Sequence, residues 1–330
     1  MKNWLARLFG GNAHPDEAPC ALQSPAAAGD AHAVPAPAAM PEVAPFDLDL
    51  ACYRWLTAGV AHAGSMPEEL VLDELARLAR QPEAAADLVP RVPAVVPQLL
   101  RSLRDEAMSA GELARQVGQD VTLVAEVIRE VNSPYYRATT RVTNIEGALM
   151  LLGQNGLRML LARVAFRPVI SAQTGRLARQ AAPRLWSQSE KCAQAAALAA
   201  PALKANPFEA YLAGLMQNVG LVVALRLVDQ LAGSAALPQS ERFAGALLEH
   251  ARTLSARIAA SWEFPPPVGA AILHAGRAEA GPLAQALHAG ERLAKLRVLA
   301  EAGVGEAVAL AAALPAPEAG IYGRLRSDEE

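Results

Sequence analysis

Residues 119–166 read QDVTLVAEVIREVNSPYYRATTRVTNIEGALMLLGQNGLRMLLARVAF, and this stretch decides the fold. Val124, Val127, Ile128 and Val131 recur at the spacing of one helical face. Asn132-Ser133-Pro134 then stops that helix, because proline cannot continue the ladder and pushes its predecessor out of the helical region. Thr143 or Asn144 can cap the next helix, which closes at Gly153. A third helix carries Leu157, Leu160, Leu161, Val164 and Ala165 on one stripe. Helices in such short order, each apolar on one side, bury those sides against one another. The fold class expected is all-α.

Composition agrees. The chain has 330 residues, 52% of them hydrophobic and only 5% aromatic, enough for a sizeable core but poor in strand formers. A formal charge of −3 gives no global attraction to nucleic acid or anionic lipid. Cys20, Cys52 and Cys192 lie far apart, without the paired spacing of a disulfide framework or zinc site, and read as reduced thiols. No apolar run is expected to be long enough to span a membrane. Arg7 interrupts any export-type apolar region, and the expected location is cytoplasmic.

Outward from the central stretch the chain divides by composition. Residues 1–10 can form a short amphipathic helix, with Trp4, Leu5, Leu8 and Phe9 on one side, suited to docking on a protein partner or a membrane surface. Residues 11–45 read as a disordered tether, since 7 Pro and 12 Ala fall among the 34 residues from Asn12 to Pro45. Residues 46–87 are expected to be a helical extension that packs on the main body, with Trp55 in its core, or mediates self-association. A main helical body over 88–300 follows, then a helical or mobile tail over 301–330. Within the body, Pro168 and Gly175 read as a break, and a long alanine-rich helix is expected to begin at Trp186. A helix is expected over Glu209–Val219, and another carries Phe243, Leu247, His250, Leu254 and Ile258 as a stripe.

The ordered runs D-x-x-L-x-x-x-V-I-R-x-V-N-S-x-Y-Y, I-x-x-A-L-x-L-L-G and L-R-x-L-L resemble the HDOD domain of bacterial signalling proteins. In that family an Asn-Ser pair, here Asn132-Ser133, ends the central helix and aromatics follow, here Tyr135 and Tyr136. Gly153 completes the signature. The resemblance spans about Leu88 to Leu296. It implies an all-helical regulatory domain, distantly related to HD phosphohydrolases and usually lacking their metal. Protein partners in bacterial signalling follow from it, and no cofactor does.

An HD phosphohydrolase needs His and Asp side chains converging on a divalent cation, in a motif like G-L-x-H-D-x-G. Here that frame reads Gly214-Leu215-Met216-Gln217-Asn218-Val219-Gly220, and an earlier ligand histidine falls at Gln188. Amides bring neither the anionic charge nor the imidazole nitrogen of such sites. No metal, no catalytic residue and no enzyme activity are expected. His250 and His274 stand near family histidines; His250 reads as a neutral core histidine and His274 as a surface or pocket-edge residue. Asn132 and Ser133 read as a structural turn. A basic row, Arg129, Arg137, Arg141, Arg158, Arg163 and Arg167, has as its ordinary reading a solvated helical face. Two rivals stay open: a residual phosphohydrolase or nucleotide binder at the degenerate pocket, and a nucleic-acid binder through the arginine row.

Overall fold

A computed structural model describes residues 46–58, 68–81, 88, 108–133, 136, 140–232 and 237–325. The expectations for residues 1–10, the tether, the helix ending near Leu103, Tyr135, Arg137 and residues 326–330 lie outside the described residues. Among those described, the chain from Phe46 onward is built of helices without a strand, as the spacing of apolar residues predicts.

In chain order these are α1 (Leu48–Thr57), α2 (Glu68–Arg80), α3 (Ala110–Val117), α4 (Val121–Val131), α5 (Ile145–Ser171), α6 (Arg176–Ala199), α7 (Pro207–Met216) and α8 (Val219–Ala232). They continue with α9 (Glu241–Ser261), α10 (Pro266–His274), α11 (Pro282–Glu301), α12 (Gly305–Ala312) and α13 (Ala316–Tyr322). Caps explain many of the starts. Ser109 and Glu112 form a reciprocal capping box on α3. Asp120 accepts from the backbone N–H groups of Thr122 and Leu123 at 2.9 and 3.0 Å, and Asn144 from that of Gly147 at 2.8 Å.

The central stretch folds as α4 and α5. Gly153 adopts φ 69° and ψ 176° inside α5, so two helical segments meet at a kink there rather than across a loop. The expected break at Pro168 does not occur. The helix runs through it to Ser171, because a proline inside a helix forfeits one hydrogen bond without forcing an end. Ala172 is the C-cap, and the Gln173 side-chain amide donates to the last-turn carbonyls of Val169 and Ile170, both at 2.9 Å.

Helix α6 begins at Arg176, not at Trp186, and contains Pro183. Its N-cap, Gly175, offers no side chain, and the cap comes instead from Asp229 on α8. That carboxylate accepts from the N–H groups of Leu177 and Ala178 at 2.8 and 3.1 Å. Helix α6 packs against α5, α7, α8 and α11, which bury it on most sides. The expected Glu209–Val219 helix divides into the end of α7 and the start of α8. Pro207–Leu231 carries the apolarity of a membrane span by composition, contrary to the sequence expectation, but it is broken at this junction and 89% of the window is buried in the fold.

Helix α1 packs on α6, α9 and α11, and α2 on α8 and α9. Trp55 is half-buried rather than central, stacked under the Arg184 guanidinium at 5.8 Å. The aromatic that α1 does bury is Tyr53, whose hydroxyl donates to the Pro238 carbonyl at 2.7 Å.

Asn132 stands at the exit of α4. Its Nδ2 donates to the carbonyls of Ile128 and Val142, both at 2.7 Å, and its Oδ1 accepts from the Val142 N–H at 2.8 Å. One side chain therefore ties the end of α4 to the backbone that leads into α5. Ser133 beside it has a buried hydroxyl without a partner among the described residues. Asn132→Ala removes no apolar area yet strands these groups, at about 1–3 kcal/mol for each one left buried and unpaired. Denaturant melts are expected to show that loss. Asn132→Asp retains the bond to Val142 N–H but turns a carboxylate oxygen onto the carbonyls of Ile128 and Val142, and is expected to be at least as destabilising.

Candidate functional site

The degenerate frame lies at the junction of α7 and α8. Gln217 is the C-cap of α7, and Ser255 of α9 locks the turn: its hydroxyl donates to the Gln217 carbonyl at 2.6 Å and accepts from the Gly220 N–H at 2.8 Å. The two glycines are required by packing. A Cβ at Gly214 would lie 2.4 Å from the Ala193 Cα, and one at Gly220 would lie 1.9 Å from the Ala251 carbonyl oxygen. The frame thus sets how closely α7 meets α6 and α8 meets α9.

Gln188 and Asn218 meet in the fold, with Gln217 next to Asn218 at the turn. Asn218 Nδ2 donates to Gln188 Oε1 at 2.7 Å and to Ser189 Oγ at 2.8 Å, all three side chains being buried. Gln217 Nε2 is buried with only the weak acceptor Cys192 beside it. His250 and His274 are half-buried, and neither lines the cavity at this point. The expectation of a core histidine at 250 is therefore corrected: its position on α9 turns it partly toward solvent.

That cavity has a volume of about 40 Å³, room for one or two waters. Besides Gln217 and Asn218 it is lined by a charged group that sequence reasoning missed: Asp49, Arg252, Glu291 and Lys295. Lys295 Nζ donates to Glu291 Oε1 and to Asp49 Oδ1, each at 2.6 Å, and Arg252 Nη2 reaches both Glu291 oxygens at 3.0 Å. Burial alone would raise the Glu291 carboxyl, but Lys295 and Arg252 beside it pull it down from the usual 4.5 to about 2. Burial opposes the charge on Lys295, yet Glu291 and Asp49 hold its ammonium above the ordinary range. Burial raises the thiol of Cys52 to about 12 and that of Cys192 well above its usual value, so both are inert at neutral pH. The signal for this cluster is weak: Glu291 and Lys295 stand four apart on α11, the spacing of countless surface pairs.

The donor set does not fit a divalent cation. Gln188, Gln217 and Asn218 supply amides, and the carboxylates of Asp49 and Glu291 are committed to Lys295 and Arg252. Among the described residues no group of three His, Cys, Asp or Glu side chains is placed to hold a metal.

The arginine row separates into interior and exterior members. Arg163 is fully buried and Arg158 nearly so, whereas Arg129 and Arg141 are exposed. Arg163 pairs with Glu130 of α4 and Glu190 of α6, and Arg167 reaches Glu130 at 3.3 Å. A continuous solvated or nucleic-acid-binding face is therefore absent along this row among the described residues; the strongest of its charges are spent inside the fold.

Because Glu291 is more acidic folded than unfolded, its contribution to stability is complete above pH 4.5 and is lost as pH falls toward about 2. Glu291→Gln is expected to be less stable than the parent at neutral pH, with the difference shrinking through that window. Denaturant melts from pH 7 to pH 2 check it; a difference independent of pH would contradict the charge pairing.

Comparison with known proteins agrees with this architecture. A curated relative from Treponema pallidum (strain Nichols), an uncharacterized protein, is 25% identical over 192 residues, 55% of this chain and 36% of its own length. The chain thus matches only about a third of that relative. The crystal structure of an HDOD domain protein of unknown function from Geobacter sulfurreducens aligns with TM-score 0.53 at 24% identity, covering 77% of this chain and 89% of that one. A Shewanella amazonensis SB2B structure, called a candidate metal-dependent phosphohydrolase, aligns with TM-score 0.55 at 18% identity over 80% and 99% of the two chains. These likenesses concern the fold alone. The HDOD domain model itself matches residues 89–277, more than half of the chain and all of the Asn132, Gly153 and Gly214–Gly220 framework; the chain belongs to the HDOD family.

Proposed function

We propose that this protein is a non-catalytic signalling domain that acts through protein–protein contacts. The observation that carries the reading is the pocket at the α7–α8 junction. Asn218 bonds to Gln188, Gln217 turns its amide to Cys192, and the one cavity-lining ammonium, Lys295, is already neutralised by Glu291 and Asp49. Water activation needs a cation with an open coordination position, and here each charge has a partner within the chain. The Shewanella structure's description as a phosphohydrolase does not transfer, since its likeness is one of fold and the ligand positions here hold Gln188, Gln217 and Asn218.

A cytoplasmic setting, with bacterial regulatory proteins as partners, belongs to the same proposal. Residues 1–10 are its docking element: Trp4, Leu5, Leu8 and Phe9 stand together ahead of a proline- and alanine-rich stretch, and such an apolar group is costly to leave exposed. Trp4 is the anchor, as large aromatics contribute most at interfaces.

Elemental analysis of the native protein is expected to find no stoichiometric Mn, Fe or Zn, and chelator is expected to leave its melting temperature unchanged. A bound metal with chelator-sensitive melting would instead favour a phosphohydrolase. Deleting residues 1–10 is expected to abolish recruitment of co-purifying partners while the melting curve of the helical body stays the same. Unchanged partners after that deletion would move the interface onto the body.

A further inference from the structure

A second groove, of about 720 Å³, opens between α1, the end of α5, α6 and the last turn of α11. It shares no lining residue with the pocket of the degenerate frame. Three arginines line it: Arg167 from α5, and Arg179 and Arg184 from α6. Two carboxylates line it as well, but both answer to cations. Glu190 is paired with the buried Arg163, and Glu301 with Lys191 at 3.3 Å and Arg297 at 2.6 Å. Arg167 shares Glu130 with Arg163. Arg179 and Arg184 have no carboxylate partner among the described residues. The groove therefore carries positive charge that the fold does not neutralise, in a chain whose formal charge is −3. Such a local excess favours an anionic ligand.

The remaining lining narrows the class of anion. Arg184 Nη1 donates to the carbonyls of Trp55 and Ala58 at 3.0 and 2.8 Å, which holds its guanidinium over the Trp55 indole, 5.8 Å from the ring centroid. Guanidinium and indole are both flat groups on which a base can stack, and both are held beside the unneutralised charge. Trp186, 6% exposed, also lines the groove, and its indole N–H is buried without an acceptor. Ser187 Oγ accepts from Lys191 Nζ at 3.0 Å, which leaves its own O–H to donate. The volume lies in the range of small-molecule sites.

We propose that this groove binds a nucleoside phosphate, with its phosphate across Arg167, Arg179 and Arg184 and its base against the Trp55–Arg184 platform. Neither the frame at the α7–α8 junction nor the contacts proposed for residues 1–10 enters this inference, so it stands or falls separately.

Calorimetric titration of the full chain with GMP, guanosine and inorganic pyrophosphate tests it. GMP is expected to bind saturably and to weaken as salt rises, guanosine to show no binding at the same concentrations, and pyrophosphate to bind more weakly than GMP. Arg179→Ala removes an exposed side chain with no carboxylate partner; it is expected to weaken GMP at least tenfold with the melting temperature unchanged. Trp55→Leu is expected to weaken GMP but not pyrophosphate. Arg277→Ala, in the other large groove, is expected to leave all three titrations as they were. Absence of saturable GMP binding would overturn the proposal. So would guanosine or pyrophosphate binding as tightly as GMP, or loss of binding with Arg277→Ala in place of Arg179→Ala.

Discussion

The guanidinium of Arg163 is fully enclosed by protein, and the meeting of three helices depends on it. It stands on α5 and answers Glu130 from α4 and Glu190 from α6, while Arg167 one turn further on supplies the balancing charge to Glu130. Two carboxylates and a cation taken out of water are costly, and together they do not stabilise a fold more than well-packed apolar residues would. Their effect is directional. Only one register of α5 against its neighbours brings both carboxylates to the same guanidinium, and any slip leaves a buried charge alone, at about 3–5 kcal/mol.

A second constraint is steric. Gly214 and Gly220 bracket Gln217 and Asn218, and each faces backbone of a neighbouring helix at a distance that admits no Cβ. Gly290 of α11 does the same against Ala196. The G-L-x-x-x-x-G spacing is thus sufficiently explained by helix contact alone, whatever side chains stand between. The frame therefore serves packing in a domain whose intervening residues include the amides Gln217 and Asn218.

Much of this architecture was legible from the chain. Apolar spacing located α4, both halves of α5 and α9, because their stripes are sharp and their caps, Asp120 and Asn144, are local. The start of α6 was hidden for a physical reason: its cap is Asp229, 52 residues beyond Leu177, and Pro183 imitates a boundary. Pro168 misled similarly inside α5. At the site, the substituted positions Gln188, Gln217 and Asn218 could be found by motif, and their convergence follows from the fold. The charges of Asp49, Arg252, Glu291 and Lys295 could not, because their meeting depends on α1, α9 and α11 folding together. The arginine row misled because a charge counted along a sequence carries no sign of which way its helix is turned.

The position of Lys295 bears on whether this pocket could be made to take a metal. Placing a histidine at 188, a histidine at 217 and an aspartate at 218 would set HD-type side chains beside a cavity that already has a resident cation on its wall. A divalent ion entering there would meet an ammonium held by Glu291 and Asp49. Metal chemistry here therefore demands a fourth change, at 295, which would leave Glu291 to Arg252 alone and Asp49 to solvent. The lysine thus acts as a lock on the pocket, closing it to cations whatever side chains stand at 188, 217 and 218.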